Sequence, residues 1–216
     1  MITESFQTKR PTVEAIEQRM GIKVPILDHG HIVVLDYMGT DKCIVQAART
    51  SYQAGTKTVN QDKGLISYLM KNHHETPFEM CKLKLHVKMP IFVARQWVRH
   101  RMANINEMSA RYSILPSDFY LPAREQLQAQ SKANKQGRGG VLSKEEGDLV
   151  LKLLKRDAEQ AYEDYTVMLN EDEQGHPIDL EKDGLARELA RMNLSLNFYT
   201  EWVWCVDVRN LLSFLL

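Results

Sequence analysis

Cysteine is scarce in this chain: Cys43, Cys81 and Cys205 are three widely separated residues among 216. An odd, scattered set excludes a disulfide framework and a paired-cysteine zinc motif, and reduced thiols are expected. His73 and His74 stand before Cys81 at a spacing that matches no standard site, so no metal is expected. An excess of either charge is also lacking, because 28 Lys and Arg balance 28 Asp and Glu. A general nucleic-acid binder needs a basic surface to displace counterions, so the neutral balance argues against that class and makes any anion site local. Long apolar runs are missing too, and Met1-Ile2-Thr3-Glu4-Ser5 does not have the charged-then-apolar layout of a signal peptide. A cytoplasmic protein with no membrane partner is the expectation.

What is there is ordinary globular composition, 44% hydrophobic and 26% charged, enough for one domain with a substantial core. Residues 1–30 are polar and punctuated by Pro11 and Pro25, and read as an N-terminal extension to a domain spanning 31–216. The continuous apolar run Ile32 to Leu35 predicts a buried strand over His31 to Met38. A helix capped by Thr40 or Asp41 should reach about Ala54, with Ile44, Ala47, Ala48 and Ser51 on one side. A second should run from Asp62 to Asn72 and bury Leu65, Ile66, Leu69 and Met70. Met80 to Met89 alternates Leu83, Leu85 and Val87 against Lys82, Lys84, His86 and Lys88, which is strand periodicity. Pro90 then opens a helix predicted over Ile91 to Met102.

From Phe119 to Gly147 the periodicity is lost, and a flexible loop or insertion is expected. Ser143 and Glu146 have capping-box spacing before a long amphipathic helix to about Leu169, with Leu154, Ala158, Ala161, Tyr165 and Met168 as its buried stripe. A short helix near Gly184 to Asn193, a strand over Asn197 to Val208 and a helix beginning at Arg209 complete the reading. The fold class is therefore α+β, a mixed single domain whose central sheet is covered by helices.

Chemistry concentrates between Arg95 and Tyr112. Helical periodicity stacks Arg95 on Arg99, Gln96 on His100 and Trp97 on Arg101. Arg99 and Arg101 then point roughly oppositely and serve two ligands unless the helix ends between them. If Asn106 to Tyr112 is extended, Glu107, Ser109 and Arg111 share a face on which a carboxylate, a hydroxyl and a guanidinium can hold a polar ring and a phosphate. The competing reading is a solvated basic face paired with Glu107 and other carboxylates. Thr76-Pro77-Phe78-Glu79 has the local pattern of a capped helix start.

Arg99-His100-Arg101 followed after seven residues by Ser109, with Asn106, Glu107, Arg111 and Tyr112 around it, resembles the signature of the flavin-dependent thymidylate synthases. The resemblance extends through Ala47-Ala48-Arg49 with Ser51, His74 to Glu79, Pro90 to Trp97, Ala190-Arg191, Tyr199-Thr200 and Arg209. It implies an FAD-dependent methyltransferase that converts dUMP to dTMP, with methylenetetrahydrofolate as carbon donor and NADPH as reductant. It further implies a homotetramer with shared sites. By family position Gln96, Arg99, Glu107, Ser109, Ala110, Arg111 and Arg191 would contact dUMP, with Arg99 and Ser109 as the catalytic pair. Ser51, Thr76, Glu79, Arg99, His100, Arg101, Met102, Glu107, Asp207 and Arg209 would border FAD.

Three positions depart from the family pattern: Asn104 for a usual Ser, Ser195 for a usual Pro, and Asp207 for an Asn that contacts flavin. The last replaces an amide donor with an acceptor-only carboxylate. No cysteine looks accessible and activated, so no covalent protein nucleophile is assigned and Ser109 is read as a substrate ligand. A flavin-dependent NADPH oxidase would share the flavin set without the uracil set, and a nucleic-acid module would use the arginine stripe without flavin. Arg209 to Leu216 stops two turns into an apolar helix, where family members continue, so a C-terminal part is expected to be missing.

Overall fold

The structure, a computed structural model, describes residues 10–50, 59–172 and 174–216. Its centre is an antiparallel sheet of five strands: β1 (Val24–Ile26), β2 (Gly30–Met38), β3 (Lys82–Pro90), β4 (Ala103–Glu107) and β7 (Tyr199–Asp207). Their spatial order is β1-β2-β3-β7-β4, with β7 aligned along the full length of β3 from Lys82↔Asp207 to Pro90↔Tyr199. The sheet thus takes in Val24–Ile26, N-terminal to the boundary drawn at residue 31.

The α+β reading holds, and the alternation of β3 explains it. Val87 and Met89 turn inward with Trp202, Trp204 and Val206 of β7, and α4 (Ile91–Trp97) covers them through Ala94. Trp97 completes the cluster, its ring 5.0 Å from Trp204 and 4.8 Å from Phe214 of α7 (Val208–Leu215). Each such aromatic buries roughly 150–250 Å². At about 25 cal/mol per Å² this face holds much of the fold's hydrophobic stabilisation.

A second cluster joins Ile44 of α2 (Asp41–Thr50), Leu69 of α3 (Val59–Lys71), Phe78 and Cys81. A third joins Tyr165 and Leu169 of α5 (Lys144–Leu169) to Ala190 of α6 (Arg187–Ala190). The capping box predicted for α5 is present: Ser143 Oγ accepts from the Glu146 N–H at 3.3 Å, and the Glu146 carboxylate accepts in return.

Several expectations need correction. The helix after Pro90 ends at Trp97 rather than Met102, and Val98 to His100 close it in a turn that feeds β4. The extended stretch stops at Glu107; Ala110 to Tyr112 turn back, with the Tyr112 and Ser113 N–H groups bonded to the Ser109 carbonyl. The expected loop after Phe119 contains a small hairpin, β5 (Gln128–Gln130) with β6 (Arg138–Val141). Met70, Leu154 and Leu35 are more exposed than a buried stripe or strand requires, whereas Val45 and Leu169 are buried without having been singled out. The end of the first predicted helix, beyond Thr50, and its Ser51 lie outside the described residues.

Candidate active site

The turn after α4 delivers His100, Arg101 and Met102 to one end of β4, and α7 brings Arg209, Asn210 and Ser213 to the same end. Together with Ala103, Trp204 and Val206 they line a cleft of about 150 Å³. Its floor is the tryptophan face of the sheet, and its rim is cationic and polar. His100 lies edge-on to Phe214 at 4.8 Å between ring centres, which ties the imidazole to α7.

Arg209 is held in place by Glu75, whose Oε2 accepts from both Nε and Nη2 at 2.7 Å. Glu75 therefore has a function that the sequence did not suggest. The predicted cap at Thr76 is not formed: Thr76–Met80 is a short 3-10 helix with no side-chain cap bond among the described residues. Thr76 and Glu79 are exposed on this segment, next to the Glu75–Arg209 pair. Asp207 caps α7, with Oδ1 accepting from the Asn210 N–H (2.8 Å) and Oδ2 from its side-chain amide (2.7 Å). Both carboxylate oxygens are thus engaged, and the departure from Asn serves to position Asn210 at the cleft.

The residues expected on the nucleotide are divided. Gln96 and Arg99 lie at the cleft end, since α4 starts beside Tyr199 and runs back to where Trp97 meets Trp204. Glu107, Ser109, Ala110 and Arg111 lie at the other end of β4. There Glu107 Oε1 accepts from the buried Thr200 hydroxyl at 2.6 Å. Ser109 Oγ accepts from the Arg111 N–H at 3.3 Å, and among the described residues no base is hydrogen-bonded to it. Arg111 pairs with Glu188 of α6 at 3.0 Å, and Arg191 Nε donates to the Glu188 backbone carbonyl at 3.2 Å. Glu188 thus brings the two exposed arginines together. The one sequence hint of this was the charge pattern Arg187-Glu188-Leu189-Ala190-Arg191, which alone does not reveal its partner on another element.

Burial pushes the Cys81 thiol up to about 11, with Cys43 and Asp41 adding to the effect, so it stays protonated at neutral pH. Cys43 and Cys205 are half-buried. Cys205 follows Trp204 on β7. It sits on the sheet face opposite the tryptophans, away from the cleft.

Arginines at both ends of one edge strand give this sheet two cationic ends suited to anionic ligands. The family model described as "Thymidylate synthase complementing protein" matches residues 33–216. The flavin-dependent thymidylate synthase of Rickettsia bellii (strain RML369-C) is 56% identical over 209 residues, 96% of this chain and 71% of the relative. That of Gluconobacter oxydans (strain 621H) is 55% identical over 213 residues, 99% of this chain and 67% of the relative. The crystal structure of a UMP/dUMP methylase PolB from Streptomyces cacaoi bound with 5-Br UMP matches with a TM-score of 0.73 at 30% identity. That match covers 88% of this chain and 76% of the other. The chain belongs to the flavin-dependent thymidylate synthase family.

Proposed function

We propose that this protein methylates dUMP to dTMP with a flavin as redox cofactor. The observation that carries the reading is the cleft where His100, Arg101, Met102 and Arg209 meet, in a member of this family. Its guanidinium and imidazole groups suit a diphosphate, which arginine forks recognise well. A volume of about 150 Å³ admits only part of a dinucleotide, so FAD would extend onto further surface, including Thr76 and Glu79 beside the Glu75–Arg209 pair. Reduced by NADPH, FAD would supply the hydride that completes a methyl group derived from methylenetetrahydrofolate.

The chain's own residues bind and orient. Arg111 and Arg191 offer donors to the dUMP phosphate once Arg111 exchanges Glu188 for it; both members of that pair are 53% exposed, so the exchange costs little. Ser109 and Glu107 would fix the uracil ring, with Glu107 oriented by Thr200. Gln96 and Arg99 would approach the same ring from the cofactor side, where the Arg99 charge stabilises negative charge developing on a pyrimidine carbonyl.

In one copy these two sets are separated by the length of β4, roughly 14 Å for five residues in extended chain. In this reading the site would be completed by the cofactor end of one copy lying against the nucleotide end of another, where Gln96 and Arg99 would face Glu107 and Ser109. The division supports sites shared between copies, and the homotetramer itself is what the family resemblance implies.

The test is an absorbance spectrum of the purified protein. The reading expects an oxidised flavin band that shifts when dUMP is added, and a colourless protein or a spectrum indifferent to dUMP would contradict it. A companion expectation concerns the thiols. Changing Cys43, Cys81 or Cys205 to Ser or Ala should leave dTMP formation intact apart from packing losses, about 1–3 kcal/mol of stability for a polar hydroxyl at buried Cys81. A folded single variant that binds every ligand yet makes no dTMP would show that a cysteine is required.

A further inference from the structure

The sheet face opposite the tryptophans holds a cluster that the methylation chemistry does not use. His31 on β2, Lys88 on β3 and Glu201 on β7 occupy one rung across three adjacent strands, and His86 lies two residues along β3 on the same face. One ligand atom each from His31, His86 and Glu201 lies within 4.8 Å of the others, and His86 Nε2 is 2.9 Å from Glu201 Oε2. His31 is only 5% exposed, and among the described residues its Nδ1 has no hydrogen-bond partner. A buried imidazole nitrogen without a partner is costly, and a ligand that accepts its lone pair would remove that cost.

We propose that His31, His86 and Glu201 form a binding site for a divalent transition ion of the zinc class, which joins β2, β3 and β7. Two imidazoles and one carboxylate are the donor set of a four-coordinate zinc with water or another ligand in the fourth position. The ion would take the place of the His86–Glu201 hydrogen bond and bridge the same two atoms. Burial, reinforced by Lys23, holds His31 below the ordinary imidazole value, so the ring is neutral and its lone pair is available. Lys88 is the opposing charge in the cluster. Its ammonium is held by Asp118 and lies 3.8 Å from Glu201, so these two carboxylates offset the charges of Lys88 and Lys23. Linear spacing could not have suggested this set, because its members come from three separate strands.

The test uses the full chain stripped with a chelator, then titrated with Zn²⁺ against a chromogenic competitor and with Co²⁺ as a spectroscopic probe. Expected are one ion per chain, visible Co²⁺ bands of a low-coordinate N/O site, and a higher melting temperature with Zn²⁺. Glu201→Gln, which preserves volume, and His86→Ala should each weaken Zn²⁺ binding by about tenfold or more while circular dichroism stays native. His176→Ala, at the exposed His176–Asp172 pair, should leave it unchanged. The proposal fails if no stoichiometric ion binds, if folded Glu201→Gln and His86→Ala bind Zn²⁺ as the parent does, or if His176→Ala abolishes binding.

Discussion

Arg111→Ala is expected to weaken dUMP binding about 10- to 100-fold, the loss of a charge-assisted hydrogen bond worth about 1.5–3 kcal/mol. Flavin content should stay near that of the parent, because Arg111 lies across β4 from the cleft lined by His100, Arg101, Met102 and Arg209. Stability should change by less than about 1 kcal/mol, since the pair it loses with Glu188 is a solvent-exposed one. Titration of dUMP and flavin quantification on the same sample separate the outcomes. Equal loss of both ligands would mean that the two ends of β4 are not functionally distinct.

Gly184→Ala should be the most damaging small substitution for the fold. An ideal Cβ at Gly184 would stand 1.7 Å from the Leu169 carbonyl oxygen and 2.6 Å from its carbon, both backbone atoms at the end of α5. The chain cannot move away cheaply, because the Leu185 N–H bonds the Met168 carbonyl at 2.7 Å. The Asn170 amide, in a left-handed C-cap, also holds the carbonyls of Asp179 and Lys182. Relieving the overlap means breaking those bonds or shifting α6, at a cost of about 1–3 kcal/mol or more. The same segment leads into α6, which carries Glu188 and precedes Arg191, so dUMP affinity should fall together with the denaturation midpoint. A variant with parental midpoint and parental dUMP affinity would show that the Gly184–Leu169 contact is not as close as described.

The sequence carries the parts of this fold that local pattern decides. The alternation of β3, the aromatic run of β7 and the Ser143–Glu146 cap each depend on neighbours within a few residues, and each is found where it was read. The end of α4 does not depend on them. Val98 to Arg101 suits a helix as well as Ile91 to Trp97 does, and the stop at Trp97 comes from the need to enter β4 beside β7. Extended periodicity after Glu107 was equally plausible, yet the Ser109 hydroxyl accepts from the Arg111 N–H and favours a turn, a competition with strand structure typical of serine. Within the candidate site, Arg99, His100, Arg101 and Arg111 were legible as polar groups in a dense motif, and Met102 and Arg191 only through the family resemblance. Their partners were not, because Glu75 and Arg209 are 134 residues apart, as Glu188 and Arg111 are 77 apart. Asp207 was legible as a departure, and only its bonds to Asn210 show what the carboxylate does.

The central claim is that dTMP formation needs the cofactor end of one copy and the nucleotide end of another. The direct measurement is dTMP formation by protein in which Arg209→Ala and Arg111→Ala chains are co-expressed and assembled together. Each variant alone should be strongly impaired. In a random mixture about a quarter of the sites should combine an intact Arg209 end with an intact Arg111 end, and activity should return to about that fraction of the parent. A mixed assembly that binds flavin and dUMP but is no more active than its two parents would contradict the account.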